Sequence, residues 1–389
     1  MVRDRPYFPV LLIVCILAAS LGVLGLWAAT RGRGLVPVSG RVLGEDYRVF
    51  HDASQALRAG RSPYVSQRYV TPPLPAIVNW PLSLLAFEVA AWVIVGLSVG
   101  GVLLCVLLAT VSRFDLRSRD AKWVLALSVG AMALSYPLWF LLYRGNIDAF
   151  VLVPMCLAVW WSGRRQVLAG LCLAVAMALK VYPVLLVVPL LVCGRRRTVV
   201  SAAVCLAVFV ALAPGLWVEG GARLLWRSSC FEMAENASIT CTLVYVGEAL
   251  GGVGLPLGRG VWRLGGLVVY GVLLLLCTYA DYVKRGRRSA GGDRAAAMMY
   301  FPFMVAMPEL VFHYSLVVLL PLVPMVAGLW RRRGARADRV LTLLAVGLAL
   351  SQWQAEACAR LVGNIVPHFV PGVGLLVVLV ACTWYKLRC

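Results

Sequence analysis

The feature that most constrains this chain is its alternation of long apolar segments with short basic turns. Of its 389 residues, 61% are hydrophobic and 14% are charged, and the mean hydropathy of +0.86 lies above that of soluble globular domains. A helix needs about 20 apolar residues to cross a bilayer. We therefore predict an all-α polytopic membrane protein, a single integral membrane domain over residues 1–389, with roughly twelve transmembrane helices. The predicted spans are 7–29, 77–111, 123–142, 146–161, 166–179, 182–193, 198–217, 261–281, 295–309, 314–330, 339–354 and 369–385.

The distribution of basic residues predicts the orientation. If the N-terminus is cytoplasmic, the inner segments hold 23 of the 37 basic residues but only 6 of the 17 acidic ones. Lys and Arg stay on the cytoplasmic side during insertion, so we expect both termini inside. The net charge of +20 then reflects topology and contact with membrane lipids, and we expect no nucleic-acid partner. No Cys/His spacing predicts a metal site, and we expect no cofactor.

Two extracytoplasmic loops, 30–75 and 218–260, are much longer than the inner turns, so we expect the chemistry on the outer side. The first loop contains a helical pattern in which apolar residues alternate with charged and polar ones, ending at Gly60 and Pro63. The apolar positions are Tyr47, Phe50, Ala53, Ala56 and Leu57. This pattern predicts a short amphipathic helix that lies in the membrane interface.

Asp46 stands at the start of this helix and allows two interpretations. An Asp at a helix start caps free N–H groups and suits the helix dipole. The same position keeps a carboxylate ionised, which a general base requires. We take Asp46 as the candidate catalytic base, and capping does not exclude that role.

Several other outer residues are candidates for binding substrate. In the turn 143–148 we assign Arg144 to a phosphate and Asn146 to a hydroxyl-rich ligand, with a plain Gly-Asn turn between two helices as the alternative. Lys180 is the one lysine predicted outside, in a chain with 4 lysines, and a charge near membrane depth is costly. We predict that Lys180 binds an anionic lipid phosphate, with a snorkelling side chain as the alternative. Arg48 is a second candidate for that phosphate.

Taken together, these motifs resemble the family 87 glycosyltransferases of the GT-C superfamily. They occur in the expected order over residues 44 to 321. They are Asp46-Tyr47 with Phe50 and Ala53, Gly60 to Tyr64, Pro72-Pro73, Gly145-Asn146-Ile147-Asp148, Lys180-Val181-Tyr182-Pro183, and Phe312-His313-Tyr314 with Pro321. Two positions depart from the family pattern: Thr71 replaces an aromatic residue, and 145–148 replaces Gly-Gln-x-Asn.

The resemblance implies an inverting hexosyltransferase with a GT-C-like helical bundle in a bacterial cytoplasmic membrane. The donor would be a polyprenyl-phosphate sugar, with mannose as the family's sugar, and the acceptor a lipid or glycan hydroxyl at the outer leaflet. By analogy, Asp46 takes the acceptor proton, and Lys180 with Arg48 or Arg144 stabilises the leaving phosphate. Tyr182 and His313 would orient donor or acceptor, and Tyr64 completes the substrate-binding set.

Two alternatives fit the same composition: a secondary transporter and a flippase for lipid-linked sugars. Transporters often have two related halves and ionisable residues at mid-depth. The chain shows no half-repeat and few charges deep in its spans, and its first outer loop is enlarged. These features favour the enzyme.

Overall fold

The computed structural model describes residues 43–66, 68–112, 114–226, 259–284, 290–306, 313–331, 344–348 and 366–388, together with residues 242, 244 and 351. This part of the chain is helical and contains no strand. The α-helices are α1 (Glu45–Arg58), α2 (Leu74–Val78), α3 (Phe87–Val111), α4 (Arg119–Leu134), α5 (Tyr136–Arg144), α6 (Asp148–Trp161), α7 (Gln166–Leu179), α8 (Val187–Val192), α9 (Arg196–Leu212), α10 (Pro214–Trp226), α11 (Arg259–Val283), α12 (Ala290–Met298), α13 (Phe301–Ala306), α14 (Leu322–Arg331) and α15 (Val366–Arg388). Short 3₁₀ segments lie at Pro63–Val65, Leu82–Leu84, Tyr182–Leu186 and His313–Leu319.

Within the described residues, two helices are long and apolar enough to cross a membrane by themselves, α3 and the segment Val261–Val283 of α11. The count rises to four if the bent pairs α4–α5 and α9–α10 each form one span. Further apolar helices of 10–17 residues include α6 and α7. The all-helical prediction is therefore confirmed, whereas the count of twelve spans is not. The predicted span 7–29 lies outside the described residues.

Prolines lie at two of the places where predicted spans are interrupted. The predicted span 77–111 separates into short helical segments up to Leu84 and the continuous helix α3, because Pro81 interrupts the first part. The predicted span 198–217 ends as a helix at Leu212, and the chain bends by 101° into α10 at Pro214. Between α4 and α5 the bend is 58°, where the Ser135 hydroxyl accepts a hydrogen bond from the Leu138 N–H. In contrast, the predicted span 166–179 coincides with α7.

Helix α1 confirms the amphipathic pattern of the first outer loop. Tyr47, Phe50 and Ala53 are buried, and Asp52 is exposed on the opposite face. The buried face packs against protein, because Tyr47 stacks on Phe87 of α3. Burial raises the pKa of Tyr47, whose hydroxyl donates to Asn79 Oδ1 at 3.0 Å. The apolar face of α1 thus serves to attach the helix to the protein.

The loop after α1 is held against α10 by a contact that requires glycine. A Cβ on Gly220 would lie 2.3 Å from the Tyr64 hydroxyl, whereas one on the adjacent Gly221 would meet nothing within 4 Å. Beside this contact, the Ser62 hydroxyl donates to Glu219 at 2.7 Å and Arg223 donates to the Tyr64 carbonyl at 3.2 Å. Tyr64 is therefore a packing residue of this junction.

We expect Gly220→Ala to lower the thermal unfolding midpoint in detergent, because the new methyl group displaces the buried Tyr64 ring. The cost is about 1–3 kcal/mol, as for other overpacked contacts. Gly221→Ala is the matched control. It gains helix propensity without a clash, so it should be neutral or stabilising by up to about 1 kcal/mol. Equal midpoints for the two variants would contradict the packing.

Candidate active site

Two glycine turns bring the start of α1 against the end of α5. Gly44 precedes α1 and Gly145 follows α5, and both have left-handed backbone conformations with φ of 80° and 65°. The Gly44 N–H donates to the Tyr143 carbonyl at 2.8 Å. A Cβ on Gly145 would lie 2.7 Å from the Cβ of Tyr47 and 3.2 Å from the Cα of Gly44, so no side chain fits between Gly145 and the start of α1. This approach places Glu45 and Asp46 beside the 144–148 turn.

We expect Gly145→Ala to separate these two turns and to impair both stability and activity. Gly60→Ala is a matched control, because Gly60 has a similar φ of 69° but open space where the methyl group would go. Both variants carry the backbone strain of a non-glycine residue, about 1 kcal/mol or more. Only Gly145→Ala adds a clash, so its extra loss in unfolding midpoint and turnover measures the close approach. If the two variants behave alike, the approach has no special importance.

Asp46 uses both carboxylate oxygens in contacts with the 144–148 turn. Its Oδ1 lies 2.6 Å from Arg144 Nη2, and its Oδ2 accepts a hydrogen bond from Asn146 Nδ2 at 2.8 Å. Arg144 also pairs with Glu45 at 3.0 Å. The Asp46 side chain is only 17% exposed. Asp46 therefore joins a cluster with Glu45, Arg144 and Asn146. These contacts do not cap α1, whose N-cap position is Gly44.

Lys180 reaches the same cluster from the end of α7. Its ammonium lies 3.3 Å from Asn146 Oδ1 and 2.7 Å from Asp148 Oδ1. Asn146 thus bridges Asp46 and Lys180. The sequence predictions for Arg144, Asn146 and Lys180 converge on one place, beside Asp46. The structure adds that both cations already have carboxylate partners, so neither is an isolated positive charge.

Asp148, like Glu45, belongs to this cluster but was not among the predicted site residues. It is fully buried at the first position of α6, and it accepts hydrogen bonds from Tyr182 at 3.1 Å and Ser315 at 2.7 Å besides its ion pair with Lys180. Tyr182 therefore contacts Asp148. Asp148 belongs to the quoted motif 145–148, where it could have been noticed as a charge at the start of an apolar helix. Ser315 gave no such signal.

Three predicted binding residues are not placed in this cluster. Arg48 is exposed, and its guanidinium lies over the Phe87 ring at 4.2 Å, because residues 46 and 48 point to different faces of α1. Tyr64 is buried and donates to the Thr71 carbonyl at 3.0 Å. His313 begins a 3₁₀ segment that also contains Ser315, and its side chain lies outside the described atoms.

Comparison with protein families identifies the chain. The sequence model of glycosyltransferase family 87 matches residues 69–308, which is more than half of the chain. The chain belongs to glycosyltransferase family 87. This family 87 protein shows no match to a curated protein. Its apolar helices and its family together identify it as a membrane protein.

The matched region includes most of the cluster. Arg144, Asn146, Asp148 and Lys180 all lie within residues 69–308, whereas Asp46 lies before it and Ser315 after it. The contacts of Asp46 with Arg144 and Asn146 thus connect the first outer loop to the matched region of this glycosyltransferase.

Proposed function

We propose that this glycosyltransferase moves a hexose, with mannose as the first candidate, from a polyprenyl-phosphate donor to a lipid or glycan hydroxyl at the extracytoplasmic face. The setting proposed is a GT-C-like bundle of roughly twelve helices in a bacterial cytoplasmic membrane, with both termini inside. The observation that carries the proposal is the contact of Asp46 with Arg144 and Asn146, and through Asn146 with Lys180. This cluster combines a carboxylate base with two cations.

In the proposed reaction Asp46 is the general base. The acceptor hydroxyl attacks the anomeric carbon of the sugar, and its proton passes to the Asp46 carboxylate as the new C–O bond forms. The bond between the anomeric carbon and the phosphate oxygen breaks on the opposite side, and its electron pair leaves with the polyprenyl phosphate. The configuration at the anomeric carbon is inverted, and no glycosyl-enzyme forms, so one carboxylate suffices.

Arg144 and Lys180 are the proposed cations for the leaving phosphate. The cluster holds three carboxylates, Glu45, Asp46 and Asp148, against these two cations. A donor phosphate must therefore compete for a cation that already has a partner. The bond of Arg144 to Glu45 is the weakest competitor, because the Glu45 side chain is 38% exposed and its charge is solvated. We expect the phosphate to take that place and Arg144 to provide electrostatic stabilisation as the charge on the phosphate develops.

A reconstitution experiment tests this function. Purified protein in proteoliposomes is mixed with radiolabelled polyprenyl-phosphate-mannose and a panel of lipid acceptors, and products are separated by chromatography. Labelled acceptor is the expected product. Movement of the donor across the bilayer without any product would instead support a flippase, and the same assay with polyprenyl-phosphate-glucose tests the identity of the sugar.

A further inference from the structure

The described residues contain two buried ion pairs of the same type. Asp148 pairs with Lys180 at 2.7 Å, and Asp281 pairs with Lys386 at 2.6 Å. Asp148 and Asp281 are both fully buried. In each pair the carboxylate and the ammonium come from different segments of the chain.

The two pairs lie towards opposite ends of α6. Asp148 is the first residue of α6, whereas Trp160 near its other end contacts Arg294 of α12. The Lys386 ammonium donates to the carbonyl of Ala296, two residues further along α12. A helix of 14 residues is roughly 21 Å long. Only the Asp148 pair is therefore next to the candidate active site.

Asp148 contacts the site through a chain of hydrogen bonds with a defined direction. Asn146 Oδ1 accepts from the Asp148 backbone N–H at 3.2 Å and from Lys180 at 3.3 Å. Because both of these partners are donors, the amide oxygen must face them. The amide nitrogen is then the atom that faces Asp46, to which it donates at 2.8 Å. Lys180 is thus one of the two donors that hold the Asn146 amide in this orientation, and Asp148 holds Lys180 in place.

We propose that Asp148 is a positioning residue of the transfer reaction, which holds the Lys180 ammonium against Asn146 so that the Asn146 amide orients Asp46. The proposal rests on the proposed function, in which Asp46 is the base. Lys180 has a flexible four-carbon side chain and arrives from a different helix, so Asp148 is its fixed anchor. Asp148 itself is held by Tyr182 and Ser315, and it has no place in the bond-making steps.

Loss of this anchor should impair turnover more than it impairs folding. Tyr182 and Ser315 donate to different oxygens of Asp148, so Asp148→Asn keeps an oxygen for one hydroxyl and presents an NH2 from which the other can accept. The change removes the charge that holds Lys180. Displacement of a catalytic group by about 1 Å can cost up to 10²-fold in rate. We therefore expect kcat per folded molecule to fall by at least about tenfold in Asp148→Asn.

The experiment compares Asp148→Asn with Asp281→Asn, the matched control at the other buried ion pair. Folded fractions are measured by size-exclusion chromatography and thermal unfolding, and kcat and KM for polyprenyl-phosphate-mannose are measured on the folded protein. Asp281→Asn should lose stability to a similar extent and keep kcat within about threefold of wild type. A merely structural role of Asp148 predicts the same kcat for the two variants when corrected for folding, and that result would overturn the proposal.

A double-mutant cycle tests whether Asp148 acts through Lys180. In a Lys180→Met background the ammonium is gone, so adding Asp148→Asn should lower kcat by no more than about twofold. If the second substitution again lowers kcat tenfold, the two residues act independently and the proposal fails.

Should Asp148→Asn not fold, Ser315→Ala replaces it, since this change loosens Asp148 by one hydrogen bond. It should lower kcat in wild type and leave kcat unchanged in Lys180→Met, and any other pattern contradicts the proposal.

Different results test the transfer reaction and the positioning role of Asp148. Absence of labelled acceptor with the wild-type protein refutes the transferase reaction itself. Normal transfer by wild type together with normal kcat in Asp148→Asn refutes only the positioning role.

Discussion

Replacing Asp148 by leucine should lower the free energy of unfolding by about 3–5 kcal/mol, the cost of removing one partner of a buried ion pair. Asp148 is fully buried and accepts from Lys180, Tyr182 and Ser315. Leucine leaves all three donors without this acceptor, in a place where the Lys180 side chain is only 19% exposed. Denaturation in mixed micelles, followed by tryptophan fluorescence, measures the loss.

The double variant Asp148→Leu/Lys180→Met is the control for this prediction. It removes both charges and leaves only the two neutral hydroxyls to be satisfied. Replacing a whole buried pair by apolar side chains is often nearly neutral, so most of the lost stability should return. If the single Asp148→Leu variant stays within about 1 kcal/mol of wild type, the ion pair does not stabilise the fold as described.

Much of the helical structure could be predicted because the relevant signals are local. Continuous apolar residues predicted α7 with the bounds that the structure shows, and the spacing of Tyr47, Phe50 and Ala53 predicted the buried face of α1. The effect of a proline on a predicted span was harder to predict. Pro214 bends the chain by 101° where a single span was predicted, because a break and a tolerated kink look alike in sequence.

The site was predicted in part from polar residues at two kinds of position: the outer ends of apolar segments, for Arg144, Asn146 and Lys180, and the start of the amphipathic helix, for Asp46. These four residues do meet. Their pairing could not be predicted, since Asp46 and Asn146 are 100 residues apart and Asp148 and Ser315 are 167 apart. Tyr64 fitted the family pattern equally well, yet its side chain packs against Gly220. A pattern gives a position along the chain but not the direction of a side chain.

Asp46→Asn should reduce turnover by about 10²–10⁴-fold, because an amide cannot accept the proton of the acceptor hydroxyl. Asparagine has nearly the same shape as aspartate and keeps an oxygen for Arg144, but its amide nitrogen replaces the oxygen that accepts from Asn146. The protein should still fold, because the change costs one hydrogen bond of a partly exposed side chain. Loss of the charge weakens one ion pair of a side chain that is 17% exposed, which costs a minor part of the stability. Donor binding should persist, since Arg144 and Lys180 are unchanged.

Asp52→Asn is the matched control for this prediction. Asp52 lies on the same helix, carries the same charge and is exposed on the opposite face of α1. Its substitution should leave kcat and KM within about twofold of wild type, as for most exposed sites away from a reaction centre. Loss of activity in both variants would point to the overall charge of α1 as the cause.

The decisive measurement is a single-turnover reaction of Asp46→Asn. Excess enzyme is loaded with radiolabelled polyprenyl-phosphate-mannose, the bound fraction is determined, and the rate of labelled product is followed after acceptor is added. Asp46 as catalytic base predicts a donor complex like that of the wild type and product formation at least about 100-fold slower. Product formation at close to the wild-type rate, from a normally loaded complex, would show that the base lies elsewhere.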